Sequence, residues 1–151
     1  MSDTNQAPAS EPVIQATHLS HGTMQTLDLA NSKKFYREFL GIPFVRHVKA
    51  AGSLLMGGDG YLVAVGGQAK ILIQQQAENR WILAVNEPGD VDWAREMALK
   101  HEKDYAIQEI GEVKEVDGLR SFMLRDQDSN WWEFRHDPAQ VQAGRYHDAR
   151  F

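Results

Sequence analysis

The chain has 151 residues, 42% hydrophobic and 25% charged, which is enough apolar material for one domain, or two small fused modules, with a real core. Its formal net charge is −5 with no basic run, arguing against nucleic acid as a partner, and no apolar run approaches the roughly 18–20 residues that cross a bilayer. Cysteine is absent, so disulfides and thiolate ligands are excluded, and any metal must be held by histidine, carboxylate or amide oxygen.

Residues 1–16 are rich in Ala, Pro, Ser, Gln and Asn and read as a disordered tail. With Asp3 and Glu11 and no apolar stretch, the segment has the pattern of neither a secretory signal nor a basic transit peptide, so a cytoplasmic protein is expected. A short strand follows at 21–27. Asp28 or Asn31 can cap a helix running to about Leu40, with Phe35, Phe39 and Leu40 as its buried stripe. Gly41 stops that helix and Pro43 punctuates it. Extended runs are predicted at 44–48, at 54–65 with a Gly57-Gly58-Asp59-Gly60 turn inside, and at 71–75.

The same order then recurs. A strand is predicted at 81–85, and Pro88-Gly89-Asp90 opens a helix over about 91–103, with Trp93, Ala94, Met97 and Ala98 on one face. Extended runs follow at 106–113, 119–125 and 131–135, with Asp117-Gly118 as a hairpin turn and Asp126 to Asn130 as a longer one. The fold class predicted is α+β: two tandem βαβββ modules, about 17–76 and 79–136, forming a curved mixed sheet around a cleft. Residues 137–151 show no periodicity and form a C-terminal tail, either disordered or covering an edge or pocket.

Alternation along the strands assigns faces. Trp132 and Phe134 share one side of the last strand, and Trp131, Glu133 and Arg135 the other. On the first strand, Met24 and Thr26 oppose His21, Thr23 and Gln25. Trp81, Leu83 and Val85 pack beneath the second helix, leaving Arg80, Ile82 and Ala84 on the opposite side, while Gln74 takes the open face of its strand. The faces turned away from the helices thus collect His21, Thr23, Gln25, Gln74, Arg80, Trp131, Glu133 and Arg135. That pattern is unusual as packing and ordinary as a binding cleft with an aromatic wall.

The run His21-x6-Asp28-Leu29-x2-Ser32-x2-Phe35-Tyr36, followed by Phe39-Leu40-Gly41, resembles the first βα unit of the vicinal oxygen chelate superfamily. That group contains glyoxalases, extradiol dioxygenases, fosfomycin and bleomycin resistance proteins, and methylmalonyl-CoA epimerase. Asp126-x-Asp128-Ser129-Asn130-x2-Glu133-Phe134 is similar to its closing turn and last strand, with Gln127 and Ser129 in place of the usual Pro and Gly. The resemblance covers roughly residues 17–136.

In metal-using members, ligands come from the first, the fourth or fifth, and the last strands. The resemblance therefore implies His21, Glu133 and Gln74 as ligands of a divalent metal (Fe, Mn, Ni or Zn), with His18 as the fallback. It also puts Arg80 where the fifth strand usually has histidine, and a guanidinium has no lone pair to give a metal. Two functions follow. One is a glyoxalase- or dioxygenase-like enzyme acting on a small oxygenated, anionic or aromatic substrate, with Glu133 and His21 catalytic and Arg80, Trp131, Gln25, Arg135 and Thr23 binding it. The other is a metal-free, bleomycin-resistance-like protein that sequesters a small molecule. A homodimer is implied by resemblance alone. The bland readings are a hydrogen-bonded strand histidine for His21, a structural pairing with Arg80 or Arg135 for Glu133, and a polar strand end for Gln74.

Overall fold

The computed structural model describes residues 21–48, 51–55, 61–66 and 74–139. The expectations for the N-terminal tail, His18, the 57–60 turn, positions 71–73 and the chain from 140 onward lie outside the described residues.

Two sheets form. The first takes β1 (His21–Gln25), β2 (Phe44–Val48), β3 (Ala51–Leu55) and β4 (Tyr61–Val65) in the order β1-β4-β3-β2, with β1 parallel to β4 and the other pairs antiparallel. The second takes β5 (Trp81–Ala84), β6 (Glu109–Ile110), β7 (Lys114–Val116), β8 (Leu119–Arg125) and β9 (Trp131–His136), in the order β5-β9-β8-β6 with β7 also on β8. Here too the module's first strand runs parallel to its last. Each module thus returns its closing strand beside its opening one: the first is βαβββ, with the predicted 54–65 run divided into β3 and β4 and β4 closing the module, and the second carries the same order with one further short strand, β7.

Local chemistry explains the elements. Asp28 caps α1 (Leu29–Lys34): its carboxylate accepts from the Ala30 and Asn31 backbone N–H groups. The helix then widens into a π turn, Phe35–Phe39, and Gly41 ends it at φ +67°, a left-handed conformation that favours glycine. The second helix, α2 (Pro88–Lys100), begins at a Glu87–Asp90 capping box with Pro88 in its first turn, three residues earlier than the sequence reading places it. Its buried residues are Val91, Ala94 and Ala98, whereas Trp93 is 63% exposed. The predicted stripe holds at Ala94 and Ala98 and fails at Trp93, which with Met97 lines a groove facing Phe39 and Leu40. The 106–113 run pairs only at β6, because Ala106 has a positive φ and the chain there follows α2 in turns. Asp117 and Gly118, both at positive φ, close the β7–β8 hairpin.

One apolar cluster unites both modules: Met24, Phe35, Tyr36, Leu54 and Leu62 from the first meet Val91, Ala98, Phe122, Leu124 and Trp132 from the second. The junction also needs a glycine. A Cβ on Gly22 of β1 would sit 2.7 Å from the Trp81 ring and 3.0 Å from Leu62. Gly22→Ala is expected to lower stability by about 1–3 kcal/mol in a urea melt, because ring and strand must separate. Gly89→Ala, a helical position with nothing within 4 Å of the added methyl, should instead raise it by about 0.4–1 kcal/mol. Equal effects would remove the argument.

Candidate functional site

The register of β8 on β9 sets opposite one another Met123 and Glu133, Ser121 and Arg135, and Arg125 and Trp131; β5 on the other side sets Ile82 beside Glu133. One parity goes to the core: Trp132 is fully buried, and Phe134 stacks on Phe122 with ring centres 5.1 Å apart. The other parity lines a cup of about 530 Å³ on the face turned away from α2, where Trp131, Glu133, Arg80, Met123, Ser121 and Lys114 come together. Trp131 is held by the Arg125 guanidinium, 5.6 Å from its ring centre.

Glu133 is the buried charge of this cup, only 3% exposed. Arg80 Nε donates to its Oε2, and Arg135 Nε donates to its Oε1 at 2.8 Å. Burial pushes the carboxyl's pKa up, but the Arg135 and Arg80 hydrogen bonds and their charges outweigh it, so the group lies below the ordinary glutamate value and is ionised at neutral pH. A second Arg80 bond, from Nη1 to the Ala77 carbonyl at 3.3 Å, fixes that guanidinium to the chain entering β5.

The structure therefore brings together four of the predicted site residues: Arg80, Trp131, Glu133 and Arg135. It does not add the others. His21, Thr23 and Gln25 lie on β1 of the first sheet, on the face opposite buried Met24, as parity implies, but none of them is among the described residues lining the cup. Gln74 is exposed and outside any strand. Sequence reasoning missed Met123, Ser121 and Lys114. The first two could have been found by pairing β8 against β9 with alternation applied to both, whereas Lys114 sits on a strand that was not anticipated.

A second buried polar group ties the modules together. Asp128 accepts from the Leu27 backbone N–H at 2.8 Å and from the Ser32 hydroxyl at 2.5 Å; Asn130 donates from Nδ2 to the Gln25 carbonyl at 3.2 Å. Asp126, fully buried, accepts from Trp132 Nε1 at 2.8 Å and from the Asp128 and Asn130 backbone N–H groups. The Asp-x-Asp-Ser-Asn turn that carries the family resemblance is thus the latch between β9 and the first βα unit.

Among the described residues the donor set does not fit a divalent metal: each Glu133 oxygen already accepts a guanidinium N–H, the neighbouring Arg80 has no lone pair to give, and no three His, Asp or Glu side chains converge.

No family model and no curated protein matches this sequence. Solved structures do match in fold. The chain is similar to a point mutant of the fosfomycin resistance protein FosX from Listeria monocytogenes, complexed with Mn(II) and 1S,2S-dihydroxypropylphosphonic acid (17% identity, TM-score 0.65, 84% of this chain and 96% of that one). It is also similar to FosX from Mesorhizobium loti (17% identity, TM-score 0.63, 85% and 99%). A third match is a glyoxalase/bleomycin resistance protein/dioxygenase from Alicyclobacillus acidocaldarius (15% identity, TM-score 0.60, 83% and 96%).

Proposed function

We propose, on the premise that this chain has the vicinal oxygen chelate fold, that it is a metal-independent small-molecule-binding protein, similar in action to the bleomycin resistance members. The observation that carries this reading is the state of Glu133. A carboxylate whose two oxygens both accept arginine N–H groups is neutralised from within the protein, and it needs no cation. The cup beside it offers an indole wall at Trp131, an apolar floor at Met123 and polar edges at Ser121 and Arg80, a combination suited to a small oxygenated ring-bearing ligand.

The protein acts in this reading as a cytoplasmic homodimer. The support is the likeness to the superfamily.

A second reading keeps the chain as a glyoxalase- or dioxygenase-like enzyme with His21, Glu133 and Gln74 on a divalent metal. What favours it is the Mn(II) in the solved Listeria FosX complex. Metal analysis of protein purified from metal-replete medium separates the two. We expect far less than one equivalent of Fe, Mn, Ni or Zn, and a melting temperature raised by millimolar small aromatic compounds in the wild type but not in Trp131→Ala. Stoichiometric metal that disappears in His21→Ala or Glu133→Gln would transfer the assignment to the enzyme.

A further inference from the structure

With their ion-pair partners counted, the acids at the cup are outnumbered: Glu133, Glu109 and Glu112 stand against Arg80, Arg135, Arg125, Arg95 and Lys114. The chain as a whole carries −5, yet here Arg80 and Arg135 flank the one buried carboxylate, Glu133, and Lys114 lines the same cup as Arg80 and Glu133. Two other acids, Glu109 and Glu112, also border the cup, but each has its own cation outside this group: Arg125 at 3.9 Å and Arg95 at 2.7 Å. Lys114 makes no ion pair among the described residues.

The arginines also retain donors. Arg80 commits Nε to Glu133 and Nη1 to Ala77, and Arg135 commits Nε to Glu133. Arg80 Nη2 and both Arg135 Nη groups have no hydrogen-bond partner among the described residues. Glu133 thus holds two guanidinium groups in place through their inner nitrogens and leaves outer nitrogens unmatched. A fixed fork of this kind suits a planar carboxylate or a tetrahedral phosphoryl oxygen pair.

We propose that the Arg80–Glu133–Arg135 cluster, with Lys114 at the rim, is a receptor for an oxyanion in which guanidinium takes the place of a metal cation. The ligand class is a small organic anion, a carboxylate or phosphonate carried on a ring or other apolar body that lies against Trp131 and Met123. Glu133 is a positioning residue: it aims the two arginines and does not touch the ligand. This deepens the binding role proposed above and rests on it.

The test uses the full-length protein and four probes: benzoate, phenylphosphonate, uncharged benzamide and inorganic phosphate, titrated by isothermal calorimetry at low and moderate salt. Benzoate and phenylphosphonate should bind at least tenfold more tightly than benzamide, and the gap should shrink as salt rises. Lys114→Gln, an exposed change outside the buried cluster, should weaken the anions severalfold more than it weakens benzamide. Arg80→Gln should abolish the preference; should it fail to fold, Lys114→Gln and the salt series still decide the matter. Benzamide binding as tightly as benzoate would overturn the anion receptor and leave the binding cup standing. Anions that bind equally well to wild type and Lys114→Gln, with no salt dependence, would also overturn it. Failure of all the aromatic probes to bind would remove the cup itself as a site, whatever inorganic phosphate does.

Discussion

Trp132→Ala should cost most of the folding stability, while Trp131→Ala leaves the fold standing and removes ligand binding. Trp132 is fully buried, its ring centre is 5.7 Å from that of Tyr36 in the other module, and its Nε1 donates to Asp126. Truncating a core tryptophan costs about 3–5 kcal/mol in lost burial and cavity. Losing the donor to a buried carboxyl adds about 1–3 kcal/mol. Against a typical reserve of about 5–15 kcal/mol, that is near collapse. Trp131 is only partly buried, and its face meets Arg125, so its truncation should cost about 1 kcal/mol or less. Urea melts of the two variants check this directly. Similar losses in both would mean that the strand's two faces do not divide between core and cup.

Stability should peak in weak acid and fall as pH rises through neutrality. The Asp126 carboxyl is pushed up to about 7, first by burial and further by the Asp128 charge, against the lowering hydrogen bonds from Trp132 and the backbone of Asn130 and Asp128. A group whose folded pKa exceeds its unfolded value of 3.8 contributes stability that is complete below 3.8 and is lost as pH climbs to about 7. The span implies a loss on the order of 4 kcal/mol at about 1.4 kcal/mol per pH unit. Asp128 is shifted in the same direction, also chiefly by burial. Glu133 works the other way: its lowered pKa gives stability that is present above 4.5 and disappears in stronger acid. The two slopes leave a maximum near the ordinary carboxylate range. Urea midpoints from pH 5 to 8 should therefore decline for wild type and decline less steeply for Asp126→Asn, which keeps only the Asp128 contribution, whatever that variant's absolute stability. A level wild-type profile would show that Asp126 is ionised throughout.

Most of the module architecture was legible because it rests on local signals. Asp28 caps, Gly41 stops, Pro88 starts, and Asp117-Gly118 turns, each through its own backbone requirement. Strand alternation likewise divided Trp131 from Trp132 and gathered Glu133, Arg135 and Arg80 on one face. The misplacement of Trp93 has a physical cause. Small Val91, Ala94 and Ala98 let α2 approach its sheet closely, and a helical stripe read by size alone favours the larger tryptophan.

The sequence by itself determined the alternation, the turns and the chemical identity of each donor, since these depend on neighbours a few residues away. Only the tertiary structure decided what those donors face. Whether the Glu133 oxygens meet a cation or a guanidinium depends on β5 lying parallel to β9 and delivering Arg80 from 53 residues earlier. The role of Asp126 and Asp128, too, emerges only when the closing turn is seated on Leu27, Ser32 and Tyr36. Contacts between distant segments leave no periodicity in the chain, because the geometry that creates them belongs to the packed sheets.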